Sequence, residues 1–244
     1  IQTFEQTRSV VEAVRARGVQ SVNCDVLYGL PHQTLASLER TVLDILSLDP
    51  DRIALFGYAH VPWMKKHQTM IPDAALPDVR QRFAQMARAS EMLIAEGYEA
   101  IGIDHFAKPA DALVVAARTG TLRRNFQGYT TDEAPVLIGL GASSISRTPQ
   151  GFVQNHAQER DWRADVAAGT LPVARGVALN PRDAFLGEII ERLMCDFTVD
   201  VAEIARMRGR DLAEVAAVWP RLQRFQLDGL IEVNGTTVTV TDLG

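Results

Sequence analysis

The sequence predicts an α/β protein in which half a barrel, or half an open sheet, precedes a small helical, winged-helix-like domain. Three observations predict it. Up to about residue 146, short β-rich apolar runs alternate with amphipathic helical patterns, the spacing of βαβ units and a parallel sheet. Only three or four strands are legible there, too few to close a barrel. Beyond about Gly176 the pattern changes to three helices and a hairpin. The expected domains are therefore residues 1–175 and 176–244.

The elements follow in order. Phe4, Val10, Val11 and Val14 recur at helical spacing until Gly18 ends the pattern. V-N-C-D-V-L-Y-G, residues 22–29, reads as a strand running into the turn at Gly29-Leu30-Pro31. Thr34 is the expected N-cap of the next helix, whose face carries Leu35, Leu38, Val42, Ile45 and Leu46 and which Asp49-Pro50 ends. Residues 52–58 form a second strand, followed by the aromatic and basic loop Y-A-H-V-P-W-M-K-K-H. A long amphipathic helix spans 77–97, with Phe83, Met86, Met92, Leu93 and Tyr98 as apolar markers. E-A-I-G-I-D, residues 99–104, is the third strand and runs into H-F-A-K-P; a short helix at 110–118 follows. R-N-F-Q-G-Y-T-T, residues 124–131, mixes aromatic, glycine and amide residues and reads as a ligand-lining loop rather than a strand or helix. V-L-I-G-L-G-A-S-S-I-S is an apolar strand turning into a glycine- and serine-rich segment. Helices are expected at 181–195, 201–207 and 211–227, then a hairpin at 229–241 with Asn234-Gly235 as its turn.

Composition bounds the function. Hydrophobic residues at 47% and charged residues at 23% describe a folded globular protein of 244 residues. No apolar run approaches the roughly 20 residues that span a bilayer, and no export signal opens the chain, so a cytoplasmic protein without a membrane partner is expected. A formal net charge of −5 argues against a nucleic-acid partner. Cys24 and Cys195 stand far apart among apolar neighbours, in no Cys-x-x-Cys or Cys/His cluster, so this chain supplies no self-contained metal site. Both ends look cut: the first begins almost within a helix pattern and the last follows a strand.

In parallel α/β folds, function gathers in loops at the carboxyl ends of strands. Four loops qualify: G-L-P-H-Q-T, Y-A-H-V-P-W, D-H-F-A-K-P and G-A-S-S-I-S. Asp25 is the acidic residue of an otherwise apolar strand, so it caps the following loop or meets a ligand. His60 and His105 each follow a strand and serve as bases, ligand contacts or structural groups. Gly139 and Gly141 permit close backbone approach but match no dinucleotide or Walker fingerprint. Arg124, Lys65 and Lys66 are candidates for clamping carboxylates by charge alone.

Five pieces, in this order, resemble one family: N-C-D-V-L-Y-G-L-P-H-Q-T, D-P-D-R-I-A-L-F-G-Y-A-H-V-P, D-H-F-A-K-P, R-N-F-Q-G-Y-T-T and G-L-G-A-S-S-I-S. They resemble the oxygen-independent coproporphyrinogen III oxidases, radical S-adenosylmethionine (SAM) enzymes of haem biosynthesis. The first piece is shared with a related haem chaperone. The pairing of D-H-F-A-K-P with R-N-F-Q-G-Y-T-T resembles the oxidase proper. The resemblance implies the second half of a radical-SAM partial (β/α)6 barrel followed by a C-terminal helical domain. It implies oxidative decarboxylation of coproporphyrinogen III to protoporphyrinogen IX, an electron donor, two bound SAM molecules and a [4Fe–4S] cluster. A monomer is expected. By motif, Asp25 and Ala59 correspond to contacts to the second SAM, Ile145 to a contact to the SAM at the cluster, and Phe126 to an apolar wall of that cavity. The family's Cys-x-x-x-Cys-x-x-Cys motif has no counterpart in this sequence. The chain thus reads as the C-terminal part of such an enzyme, lacking the cluster-binding region and inactive alone. Catalytic residues are not assigned by this reading. A haem chaperone-like paralogue and a winged-helix nucleic-acid-binding or regulatory module are the competing readings.

Overall fold

The computed structural model describes residues 2–244, and the chain divides after Thr121 into two compact units. The expected domain boundary lies elsewhere, at 175/176, so each unit is described by itself.

The first unit opens with α1 (Phe4–Ala16), capped by Thr3, and β1 (Asn23–Tyr28). Next are α2 (Leu35–Leu46), β2 (Arg52–Gly57), α3 (Val79–Ala95), β3 (Glu99–Ile101), β4 (His105–Ala107) and α4 (Ala112–Arg118). The expected Thr34 cap is present: its hydroxyl accepts from the Ser37 N–H at 3.1 Å. Asp78 does the same for α3, accepting from the Gln81 N–H at 2.8 Å.

The sheet order is β1-β2-β4-β3. β1 and β2 pair in parallel, as expected of a βαβ unit, with Asp25 opposite Ala54. The rest departs from a parallel sheet. The expected strand at 99–104 breaks at a turn into the antiparallel hairpin β3–β4, and it is β4 that bonds to β2. Gly102, at φ 57°, supplies the left-handed residue that reverses the chain. One sheet face carries Val26, Ile53, Leu55 and Phe106, packed under Leu38, Val42, Ala89 and Leu93 of α2 and α3. Phe83 is not part of this face: it is 66% exposed, and the inward stripe of α3 is Gln85, Ala89 and Leu93.

Ion pairs tie the edges. Asp51 accepts from the Val22 N–H at 2.8 Å and from Arg15 at 2.9 Å, joining α1 to the sheet. The carboxylate of Asp111 caps α4 through the Leu113 N–H and accepts from Arg52 Nε at 2.7 Å.

The second unit begins with a hairpin, β5 (Arg123–Asn125) and β6 (Gly128–Thr130), where a ligand-lining loop was expected. Arg124 stands opposite Tyr129 and Asn125 opposite Gly128, leaving Phe126 and Gln127 as the tip. β7 (Ile145–Thr148), β8 (Gly151–Asn155) and β9 (Val173–Ala178) form an antiparallel sheet, with α5 (Glu159–Ala167) between the last two. The expected strand at 136–141 is irregular backbone with one bridge, Leu137 to Arg147.

α6 (Pro181–Asp196) is capped by Asn180 with Pro181 in its first turn. β10 (Thr198–Asp200), α7 (Val201–Arg208), a 3₁₀ helix at Leu212–Val218 and α8 (Trp219–Leu227) follow, then β11 (Ile231–Asn234) and β12 (Thr237–Val240). The predicted third helix is thus two segments. The predicted hairpin turn shifts by one residue to Gly235-Thr236, because Asn234 pairs with Thr237. β10 adds a third strand, and the β10-β12-β11 wing shares a core of Phe185, Val199, Ile204, Val215 and Val238 with the helices.

Candidate functional site

The face of the first sheet turned away from α2 and α3 carries Asn23, Asp25 and Leu27 on β1, all exposed. Strand alternation places Asp25 there, since Cys24 and Val26 point into the core. Asn23 Nδ2 donates to one Asp25 oxygen at 2.8 Å, leaving acceptor capacity at the exposed carboxylate. In register, Asp25, Ala54 and His105 form one row across three strands. His105 is not a free base in this row: its Nδ1 lies 2.6 Å from Asp104 and its ring meets Phe56 edge-on.

Ala59 lies two residues beyond the carboxyl end of β2, five positions past the strand partner of Asp25, and is exposed. Asp25 is the third of the six residues of β1, whereas Ala59 lies beyond the carboxyl end of the parallel β2, so the structure does not bring the two side chains into contact. In the second unit, Phe126 is 57% exposed at its hairpin tip and stacks edge-on against Phe152, with ring centroids 5.0 Å apart. Phe152 faces the same way as Gln154, the strand partner of Ile145. Phe126 and Ile145 are therefore joined through one sheet face.

Arg124 turns back onto its own unit. Its guanidinium lies over the Tyr129 ring and reaches the Met194 sulfur at 3.8 Å, while the backbone N–H of Arg124 donates to Glu191. Tyr129 donates to the Met194 carbonyl at 2.8 Å, so the hairpin is fastened to α6. Lys65 and Lys66 are exposed.

The groups that sequence reasoning missed are three buried amides: Gln68, Gln85 and Asn155. Gln85 Oε1 accepts from the Gly29 N–H at 3.0 Å and its Nε2 donates to the Gln33 carbonyl at 2.9 Å, spanning the G-L-P-H-Q-T loop. Gln68 Nε2 donates to the Ala59 carbonyl at 3.1 Å and its Oε1 accepts from the Val61 N–H at 2.6 Å. Asn155 Nδ2 donates to the carbonyls of Gly139 and Gly141 at 3.3 and 2.9 Å. Two of these loops hold a non-glycine residue at positive φ, His32 at 59° and Ser143 at 63°, conformations that cost energy and persist only when surrounding contacts enforce them. Arg82 donates to the Tyr58 carbonyl at 3.0 Å and packs against Gly29, where an added Cβ would meet its Nε at 3.0 Å. The only sequence signal for these anchors is Gln85 within the inward stripe of α3.

Neither thiol suits an iron–sulfur cluster. Cys24 and Cys195 are buried in different units, and burial pushes both thiols up, Cys195 to about 11. Thiolate ligation needs the opposite shift. Among the described residues no group of three His, Cys, Asp or Glu could hold a metal ion. SAM is different: an exposed carboxylate with spare acceptor capacity beside exposed Leu27 fits a cationic, hydroxyl-bearing ligand.

Comparison with known proteins starts from the fold. The structure superposes on a coproporphyrinogen III oxidase (HemN) from Escherichia coli, described as a radical SAM enzyme, with a TM-score of 0.91 and 35% identity over 99% of this chain and 56% of that one. Residues 179–244 match the family model of the HemN C-terminal domain. The class is thus that of HemN-like radical SAM proteins. Proteins named oxygen-independent coproporphyrinogen III oxidase are similar throughout: that of Paracoccus denitrificans is 48% identical over 89% of this chain and 48% of its own length, and that of Thermostichus vulcanus 41% identical over 96% of this chain and 73% of its own. The chain belongs to the oxygen-independent coproporphyrinogen III oxidase family. It spans about half the length of the first of these relatives.

Proposed function

We propose that this chain forms part of an enzyme that oxidatively decarboxylates coproporphyrinogen III to protoporphyrinogen IX without oxygen, and that its strand-end loops hold SAM. The single observation that carries the reading is the exposed Asp25 on β1, paired with the strand β2 that runs into the clamped loop bearing Ala59, in a chain that matches the oxidases at 48% identity.

In this reading Asp25 and Ala59 contact one SAM, Ile145 contacts another, and Phe126 forms an apolar wall. SAM held by these residues would supply the chemistry for hydrogen-atom abstraction from a propionate side chain. This chain's residues bind, orient and exclude water. The Asp25 carboxylate accepts hydrogen bonds from an ammonium or ribose hydroxyls, and its charge favours a sulfonium. Leu27, exposed beside Asp25, offers apolar surface that keeps water from a bound ligand, and Phe126 does so on its own unit. The pinned loops fix these contacts before ligand arrives, so little binding energy is spent on ordering them. Residues 1–175 act as the barrel half and 176–244 as a packing domain.

The reading includes an external electron donor and a cytoplasmic monomer with no nucleic-acid or membrane partner. It is supported by the net charge of −5 and the two free buried thiols. No helix among the described residues is long and apolar enough to cross a membrane.

Anaerobic turnover of coproporphyrinogen III by the complete oxidase containing this sequence tests the reading, with Asp25→Asn as the site variant. Protoporphyrinogen IX formed by the parent and lost with weakened SAM binding in the variant supports it. Haem binding without turnover by the parent refutes it.

A further inference from the structure

We infer that Gln68 is a positioning residue for ligand binding: its side-chain amide stands in for a neighbouring strand and holds residues 59–61 extended, presenting Ala59 and His60. The inference rests on the functional reading above.

The hydrogen-bond pattern is that of a parallel β-bridge. There, the N–H of one residue donates to the carbonyl of the residue preceding its partner, and the same residue's C=O accepts from the N–H of the residue following that partner. Gln68 does both around His60, donating to the Ala59 carbonyl at 3.1 Å and accepting from the Val61 N–H at 2.6 Å. β2 has ended at Gly57, and Tyr58 makes the last bond to β1, donating to the Tyr28 carbonyl at 2.7 Å. Beyond that point the extended path continues on a side chain.

The loop's anchoring points to positioning rather than packing. Trp63, Met64 and Met70 are the natural hydrophobic anchors of this segment, yet they are 77%, 72% and 84% exposed. Gln68, at 8% exposure, is the one buried residue between 61 and 70. An apolar anchor would hold the loop down at any orientation. An amide making two directed bonds fixes the Ala59–His60 peptide through its carbonyl and the His60–Val61 peptide through its N–H. Those two planes decide where the Ala59 contact and the His60 side chain point. Arg82, donating to the adjacent Tyr58 carbonyl, fixes the preceding peptide in the same way.

The test uses the complete oxidase, with SAM bound at equilibrium and counted per chain, and hydrogen exchange at the Val61 N–H. The parent should bind two equivalents. Gln68→Met, which keeps the volume and removes both bonds, should deprotect the Val61 N–H and weaken one SAM equivalent roughly tenfold, the loss of about one well-directed hydrogen bond. The other equivalent should be unchanged. Gln68→Glu separates positioning from stability. As a carboxylate it repels the Ala59 carbonyl; protonated, it donates to that carbonyl and still accepts from Val61. Its SAM affinity should recover as pH falls, while the parent's stays flat. Both equivalents retained at parental affinity in Gln68→Met, with the Val61 N–H deprotected, would overturn the inference. If Gln68→Met does not fold, a flat pH profile in Gln68→Glu overturns it and recovery supports it. A parent that binds one equivalent or none sinks the functional reading itself, and the inference with it, before any variant is made.

Discussion

Replacing Gln85 by leucine tests whether a buried amide, rather than apolar packing, shapes the first strand-end loop. Gln85 is 2% exposed and makes two bonds across the loop, to the buried Gly29 N–H and the half-buried Gln33 carbonyl. Losing the acceptor of a buried N–H costs about 1–3 kcal/mol, and losing the donor to a carbonyl that water can still reach costs about 0.5–1.5 kcal/mol. Leucine returns about 1 kcal/mol through its added apolar burial. The net expectation is a destabilisation of about 1–3 kcal/mol. In a chain of this size that lowers the melting temperature by about 2–12 °C. Thermal unfolding followed by far-ultraviolet circular dichroism measures it, with hydrogen exchange at the Gly29 amide as the local probe. Gln20→Leu, at an exposed position, should stay within about 0.5 kcal/mol of the parent. An unchanged midpoint with Gly29 still protected would refute the reasoning, because the loop would then be held by something other than the amide.

Other outcomes follow from the same structure. Asp25→Asn should weaken SAM binding about tenfold to 100-fold, since hydrogen bonds to a charged group contribute about 1.5–3 kcal/mol; equilibrium dialysis reads this. At Asp51, burial alone would raise the carboxyl, but the Val22 N–H and the Arg15 guanidinium outweigh it and hold the group below the usual range. A depressed folded value contributes stability above the unfolded value of about 3.9 and loses it as pH falls through the folded value, so Asp51→Asn should flatten the acid limb of a stability–pH curve below about pH 4. Cys195, raised to about 11 by burial, should react with a thiol-directed alkylating agent at neutral pH far more slowly than a free cysteine, and unfolding should abolish the difference in a timed mass measurement. This 244-residue chain, reconstituted anaerobically with iron and sulfide, should develop no charge-transfer absorbance; stoichiometric iron with that band would contradict the reading of its two cysteines.

The sequence by itself determined those elements whose signals are local. Helix starts were legible at Thr34 and at Pro181, because a cap or a first-turn proline is a local signal. The parallel β1–β2 pair was legible because Val26, Ile53 and Leu55 are apolar and a helix of the right length lies between the strands. Asp25 stood out because a carboxylate in an apolar strand needs a reason. Only the tertiary structure decided which strand β2 would bond. Gly102 lets 99–107 turn back on itself, and the antiparallel β4 takes the place expected of β3. Residues 124–131 looked like a loop because short strands with polar and glycine content carry no alternation; their pairing depends on Tyr129 and Arg124 reaching α6 some 65 residues on. The loop anchors were hidden for the same reason. Gln68 and Asn155 carry no local signal, and Gln85 only its place on the inward stripe of α3, until the fold brings carbonyls and N–H groups to them, from 7 and 9 positions away for Gln68 and 56 for Gln85 and Gly29. A buried amide is recognisable only by the partners that make its burial tolerable, and those partners are set by the fold.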